Sequence, residues 1–154
     1  MNPSPSLAPE EVSASDIADI ERFFTDMTPA HLARLGEVYQ ADAWFKDPFN
    51  EVQGLHEVKR IFEHMYVALE APHFVITGSM VDGAQAFLTW DFKFTFRRFD
   101  TQNLQTIRGG THLQYDLNGL ITLHRDYWDA AEELYEKLPV LGSMMRWLKA
   151  RAVS

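Results

Sequence analysis

The chain has 154 residues, 46% of them hydrophobic, which suits one domain around one core and excludes a chain disordered throughout. Its formal net charge of −8 argues against a nucleic-acid surface, and the absence of cysteine excludes disulfides and thiolate chemistry. No apolar run approaches the roughly 18 residues of a membrane span, so a cytoplasmic protein is expected.

Residues 1–14 are rich in Pro, Ser and Ala and read as a disordered leader, without the basic and apolar regions of a signal peptide. Ser15-Asp16 is a cap for a helix over 17–27, where Ile17, Ile20, Phe23, Phe24 and Met27 follow helical spacing. Thr28-Pro29 pairs an N-cap with proline at the first helical position. It opens a short helix over 30–39 that buries Leu32, Leu35, Val38 and Tyr39. Residues 43–45 form a brief strand ended by the Asp47-Pro48 turn, and a third helix over 55–70 carries Val58, Ile61, Phe62, Met65 and Leu69 on one stripe. After Pro72 the period changes to two. Strands are predicted over 74–81, 85–99, 104–115 and 120–128, the last two joined by the hairpin signal Asp116-Leu117-Asn118-Gly119. Residues 129–138 are helical; Pro139 and Gly142 interrupt, and a helix resumes over 143–150. Three helices, then strands, then a helical tail predict an α+β fold. The expected shape is a cone: a curved, mainly antiparallel sheet wrapped around three N-terminal helices, with 15–129 as the domain and 130–154 as its C-terminal helical extension.

The chemistry-bearing residues fall into two clusters. Asp47 sits at a proline-pinned turn between Phe45 and Phe49, as a pocket carboxylate or as a turn aspartate that accepts backbone hydrogen bonds. In the last strand, alternation puts Thr122, His124, Asp126 and Trp128 on one face and Ile121, Leu123, Arg125 and Tyr127 on the other. In the long strand, Trp90, Phe92, Phe94 and Phe96 share a face opposite Asp91, Lys93, Thr95 and Arg97, so either the aromatics or Asp91 line a cavity. His112 and its neighbour Thr111 compete in the same way. No metal-ligand spacing appears, and neither a metal nor another cofactor is expected.

Phe45-Lys46-Asp47-Pro48-Phe49, Gly54, Tyr115-Asp116-Leu117-Asn118-Gly119-Leu120-Ile121 and Tyr127-Trp128 together resemble the nuclear transport factor 2-like superfamily. That group includes SnoaL-like cyclases, ketosteroid isomerases and limonene-epoxide hydrolases. Similarity to the isomerases implies that Asp47 is a base moving a proton beside a carbonyl. Ungapped counting places that family's oxyanion tyrosine at Phe23 and its carboxylic acid near Thr111, neither of which is the family's residue. Similarity to the hydrolases, carried by His124-Arg125-Asp126-Tyr127-Trp128-Asp129, implies that Asp126 activates water and Asp91 serves as acid, with Thr89 where that family has arginine.

The resemblance implies a small-molecule pocket protein of SnoaL-like type: a cofactor-free isomerase, cyclase or hydrolase using carboxylate acid–base chemistry on a small, mostly apolar molecule. Asp47, or Asp126 with His124, is the catalytic candidate; Phe23, Tyr39, Phe49, Trp90, Asp91, Thr111, His112 and Trp128 are candidates for lining the pocket. Such folds pair through the outer sheet face, so a homodimer is expected. The alternative is a non-catalytic ligand-binding or dimeric scaffold protein that keeps the fold without the chemistry.

Overall fold

In the computed structural model of the chain, residues 14–98 and 100–152 are described. The expected leader falls outside them, apart from its last residue, Ala14, which opens helix α1 (Ala14–Asp26). Ile17, Ile20 and Phe24 on α1, with Met27 just beyond it, are buried, while Phe23, a quarter-turn off that stripe, is only half-buried.

A 3₁₀ helix, Pro29–Glu37, follows, then β1 (Tyr39–Lys46), β2 (Glu51–Gln53), α2 (Leu55–Ala68), β3 (Leu69–Asp82), β4 (Gln85–Phe96), β5 (Gln105–Tyr115) and β6 (Ile121–Tyr127). The helix expected to reach residue 39 therefore stops short, and Tyr39 belongs to a strand. Sheet pairing decides this: the Ile121 amide donates to the Val38 carbonyl at 2.8 Å, and Tyr39 lies opposite Ile121 in a parallel pair. Strand β2 has no apolar alternation to announce it; the Asp47–Asn50 turn folds it back on β1, with Lys46 opposite Glu51. Strand β3 begins at Leu69, inside the stretch expected to be helical, and crosses Pro72 through a register shift between Glu70 and His73. Ala71 there has φ 48°, the local distortion that lets a residue without an N–H sit in the strand.

The six strands form one curved sheet in the order β2-β1-β6-β5-β4-β3, antiparallel except for the β1–β6 pair. Helix α2 packs on β1 and β3 and α1 on β3, so the helices bridge the sheet's two sides and enclose a core. Alternation along β4 resolves the competing readings: Ala86, Leu88, Trp90, Phe92 and Phe94 are buried toward the helices, and Asp91 lies on the back of the sheet.

After β6, Asp129 accepts the amides of Ala131 and Glu132 and caps α3 (Ala130–Glu133). A 3₁₀ turn, Tyr135–Lys137, leads into α4 (Pro139–Ala152). Pro139 opens this helix instead of interrupting one, as suits a residue with no N–H to offer at a first turn. Gly142 lies inside α4, where a Cβ would come 2.3 Å from the Glu136 carbonyl oxygen, so only glycine fits. Among the described residues no helix is long and apolar enough to cross a membrane.

Candidate active site

The registers of β4, β5 and β6 place one inward residue from each strand side by side. Trp90 lies opposite Gly109, Leu88 opposite Thr111, Thr111 opposite Asp126 and Leu113 opposite His124. A continuous hydrogen-bonded chain results. The Trp90 indole N–H donates to Thr111 Oγ1 at 2.8 Å, and the Thr111 hydroxyl donates to Asp126 Oδ1 at 2.6 Å. His124 Nε2 lies 2.7 Å from the same Oδ1, and His124 Nδ1 lies 2.7 Å from the Tyr39 hydroxyl.

The direction of this chain follows from its ends. An indole N–H only donates, so Thr111 must pass its own hydrogen on to Asp126. Burial, then the charge of Asp126, then Tyr115 hold the Tyr39 phenol well above its usual pKa of 10.0, so it stays protonated. Its hydrogen has no other acceptor among the described residues, which assigns it to His124 Nδ1 and leaves His124 Nε2–H donating to Asp126. Two donors thus converge on Oδ1 of Asp126, whose side chain is 16% exposed. Oδ2 takes no hydrogen bond from any described residue. His124 is fixed in place by rings as well: Phe45 at 4.6 Å, Phe24 at 5.7 Å and Tyr39 at 5.9 Å between centroids.

Asp126 forms part of the wall of two cavities. The larger, about 300 Å³, is lined by Ile61, Phe62, Met65 and Leu69 from the α2 side, Phe74 from β3, Trp90, Phe92, Phe94 and Phe96 from β4, and Trp128 after β6. Its few polar lining residues besides Asp126 are Asp47, Asn50 and His64. The smaller, about 20 Å³, lies between Thr111, His124, Asp126 and apolar side chains, with room for one water molecule. Among the described residues no three His, Asp or Glu side chains converge as a metal-ligand set.

The structure thus brings together Tyr39, Trp90, Thr111, His124 and Asp126, and sets Phe49 and Trp128 edge to face at 5.4 Å beside the larger cavity. Asp47 also touches that cavity, but its carboxylate serves the turn. Oδ1 accepts the Phe49 and Asn50 amides at 2.8 and 2.7 Å, and the Asn50 side-chain amide spans both oxygens at 3.1 Å. Three candidates lie away from the cavity. Asp91 and His112 face the back of the sheet, the latter bonded to Gln85 Oε1 at 2.8 Å, because strand alternation gives the inner face to Trp90 and Thr111. Phe23 is turned away by helical phase, and its neighbour Phe24 meets His124 instead. The signal for Phe24 was present in the i, i+3, i+7 spacing of Ile17, Ile20 and Phe24.

Residues 20–124 match the sequence profile of the SnoaL-like domain. The chain belongs to the SnoaL-like family. Among curated proteins, none matches it. Solved structures share the SnoaL-like fold at low identity. An LEH-like epoxide hydrolase from M. tuberculosis is 17% identical with a TM-score of 0.65, over 92% of this chain and 97% of its own. A provisionally assigned SnoaL-like polyketide cyclase from Jannaschia sp. CCS1 is 12% identical with a TM-score of 0.66, over 86% and 93%. A ketosteroid isomerase-like fold from Catenulispora acidiphila is 17% identical with a TM-score of 0.66, over 79% and 91%. At these identities the likeness is one of fold, not of reaction.

One residue of this SnoaL-like site went unnoticed in the sequence. A Cβ on Gly109 would fall 2.5 Å from the Trp90 ring, so the indole lies directly on the β5 backbone, and that is how its N–H reaches Thr111. Gly109→Ala is expected to tilt Trp90 off Thr111 and cost about 1–3 kcal/mol through overpacking. Thermal unfolding measures the loss, and the near-UV circular dichroism should change with it; an unaltered spectrum and midpoint would contradict the contact.

Proposed function

We propose that this SnoaL-like protein is a cofactor-free acid–base enzyme acting on a small, flat, mostly apolar molecule, with Asp126 as its base. The observation that carries this reading is the convergence of the Thr111 and His124 donors on one oxygen of a carboxylate that borders an aromatic-walled cavity of about 300 Å³. Oδ2 is then the basic atom. Its proton comes from a carbon beside a carbonyl and returns to another atom of the same substrate, which amounts to isomerisation or ring closure. Asp47 is the weaker candidate, because its oxygens already hold the turn. Tyr39, Trp90 and Thr111 position the base, and Phe49 and Trp128 shape the entrance.

The one-water void beside Asp126 supports a second reading, in which the carboxylate activates water for hydrolysis. The two share a base and differ in whether solvent oxygen enters the product, which mass spectrometry in H₂¹⁸O reads directly.

A generic carbon acid tests the base without knowledge of the natural substrate. The protein is expected to open 5-nitrobenzisoxazole with saturable kinetics and faster than acetate at equal concentration. Rates no better than acetate would remove Asp126 as a base.

We also infer a homodimer through the back of the sheet. Val75 and Tyr127 are 40% and 46% exposed there, and the Arg125 guanidinium stacks on Tyr127 at 4.6 Å. Light scattering should give twice the chain mass, and Tyr127→Glu should return one chain mass; a monomer in the parent protein would refute the pairing.

A further inference from the structure

We propose that Leu134, set in place by the carboxylate of Glu133, limits how long a molecule the Asp126 cavity accepts. The inference rests on that cavity being the ligand site, though not on Asp126 being its base. Pairing between β5 and β6 ends at Gly110 and Tyr127, so the first residues of β5 run on without β6 beside them. The chain leaving β6 turns there, and α3 packs on β5. Leu134 joins α3 to the 3₁₀ turn, and its side chain lines the cavity. Among the lining residues it is the one that comes from the C-terminal extension.

A helix of four residues has little to hold it by itself, and Glu133 supplies the anchor. Its side chain is only 8% exposed, which for a carboxylate requires partners. Arg108 Nε and Nη2 each lie 3.3 Å from Oε1, and Lys137 Nζ lies 3.7 Å from Oε2. Lys137 Nζ also donates to the Thr106 carbonyl at 2.6 Å. Residues 133–137 are therefore tied to β5 on both sides of Ile107, itself part of the cavity wall. The Leu134 amide donates to the Ala130 carbonyl at 3.2 Å, and its carbonyl accepts the Lys137 amide at 3.0 Å. Leu134 is thus placed by bonds on either side of it.

The next residue continues the contact. Tyr135 lies 6.3 Å from Phe49 between ring centroids, and Phe49 lines the same cavity. Leu134 offers the ligand nothing but hydrocarbon, so it discriminates by size and shape and not by charge. A cavity of about 300 Å³ is at the lower limit for drug-sized sites, roughly 300–1,000 Å³. A flat molecule of two fused rings fits such a space, and a longer one collides with the leucine isopropyl group. The hydrogen bonds that orient Asp126 run through Tyr39, Trp90, Thr111 and His124 and do not include the extension. Size selection is thereby separate from the chemistry at the base.

The test titrates the protein with two neutral fluorescent dyes, the two-ring prodan and the four-ring Nile red. The readout is the ratio of Nile red affinity to prodan affinity. Leu134→Ala should raise that ratio about tenfold. Glu133→Gln keeps the shape and removes the charge that Arg108 and Lys137 hold, and should raise it severalfold. Leu134→Trp fills the space and should weaken prodan about tenfold, which locates the dye in the cavity. Glu136→Gln is the control, because that carboxylate meets Lys149 at 3.5 Å and lines no part of the cavity; its ratio should not change. Circular dichroism confirms that each variant is folded. An unchanged ratio in Leu134→Ala or Glu133→Gln, with prodan still weakened by Leu134→Trp, would overturn the proposal and spare the cavity. Prodan binding that is absent from the parent protein, or indifferent to Leu134→Trp, would remove the cavity as the ligand site and the proposal with it.

Discussion

Asp126→Asn is expected to lower the turnover of 5-nitrobenzisoxazole by about 10²–10³-fold while leaving the fold intact, in line with the loss of a positioned general base. Asparagine has the same shape, and its carbonyl oxygen can still receive the Thr111 and His124 hydrogens that now reach Asp126 Oδ1. What it lacks is a site for the abstracted proton. Asp47→Asn is the matching control. Its carboxylate accepts the Phe49 and Asn50 amides and shapes the turn, so the change should cost about 1 kcal/mol of stability and leave turnover within a factor of a few. Initial rates, normalised to protein folded by circular dichroism, separate the two. Loss of turnover in the Asp47 variant with survival in the Asp126 variant would transfer the base to the turn.

That contrast shows how far the residues could be read without coordinates. Asp47 and Asp126 both stood out as carboxylates among aromatics, and both border the larger cavity. Only hydrogen-bond partners separate them, and partners depend on register. The same holds for Trp90 and Asp91: alternation established that they part ways, but the direction waited on α1 and α2 covering one face of the sheet. The α+β architecture was legible because it rests on periods of 3.6 and 2, which are local. Tyr39 was misplaced in a helix because its strand conformation comes from pairing with Ile121, more than eighty positions away. Gly109 carried no local signal, since its role is to leave space for a ring on the neighbouring strand.

The proposed base has to meet two demands at once: Asp126 must be able to accept a proton and must stand beside the apolar walls of the cavity. Here the hydrogens of Thr111 and His124 satisfy one oxygen from the protein side, and Trp90 and Tyr39 fix the orientation of those two donors in turn. Among the described residues no Lys or Arg side chain meets Asp126, so none competes for its second oxygen.

His124 is the joint of this arrangement, and His124→Ala is expected to cost about 3–5 kcal/mol, comparable to truncating a buried ring in a core. The imidazole is 3% exposed, is ringed by Phe24, Tyr39, Phe45 and Phe62, and bridges Tyr39 to Asp126. Truncation leaves a cavity among those rings and strands the Tyr39 hydroxyl without its acceptor. In a domain of this size the loss corresponds to a fall in melting temperature of roughly 10–15 °C. Tyr39→Phe alone should cost about 1–2 kcal/mol, because it orphans His124 Nδ1. In the double variant neither partner is left waiting, so the combined loss should fall short of the sum by roughly 1 kcal/mol. Thermal or urea unfolding of the four proteins completes the cycle, and strict additivity would mean that tyrosine and histidine do not share a hydrogen bond.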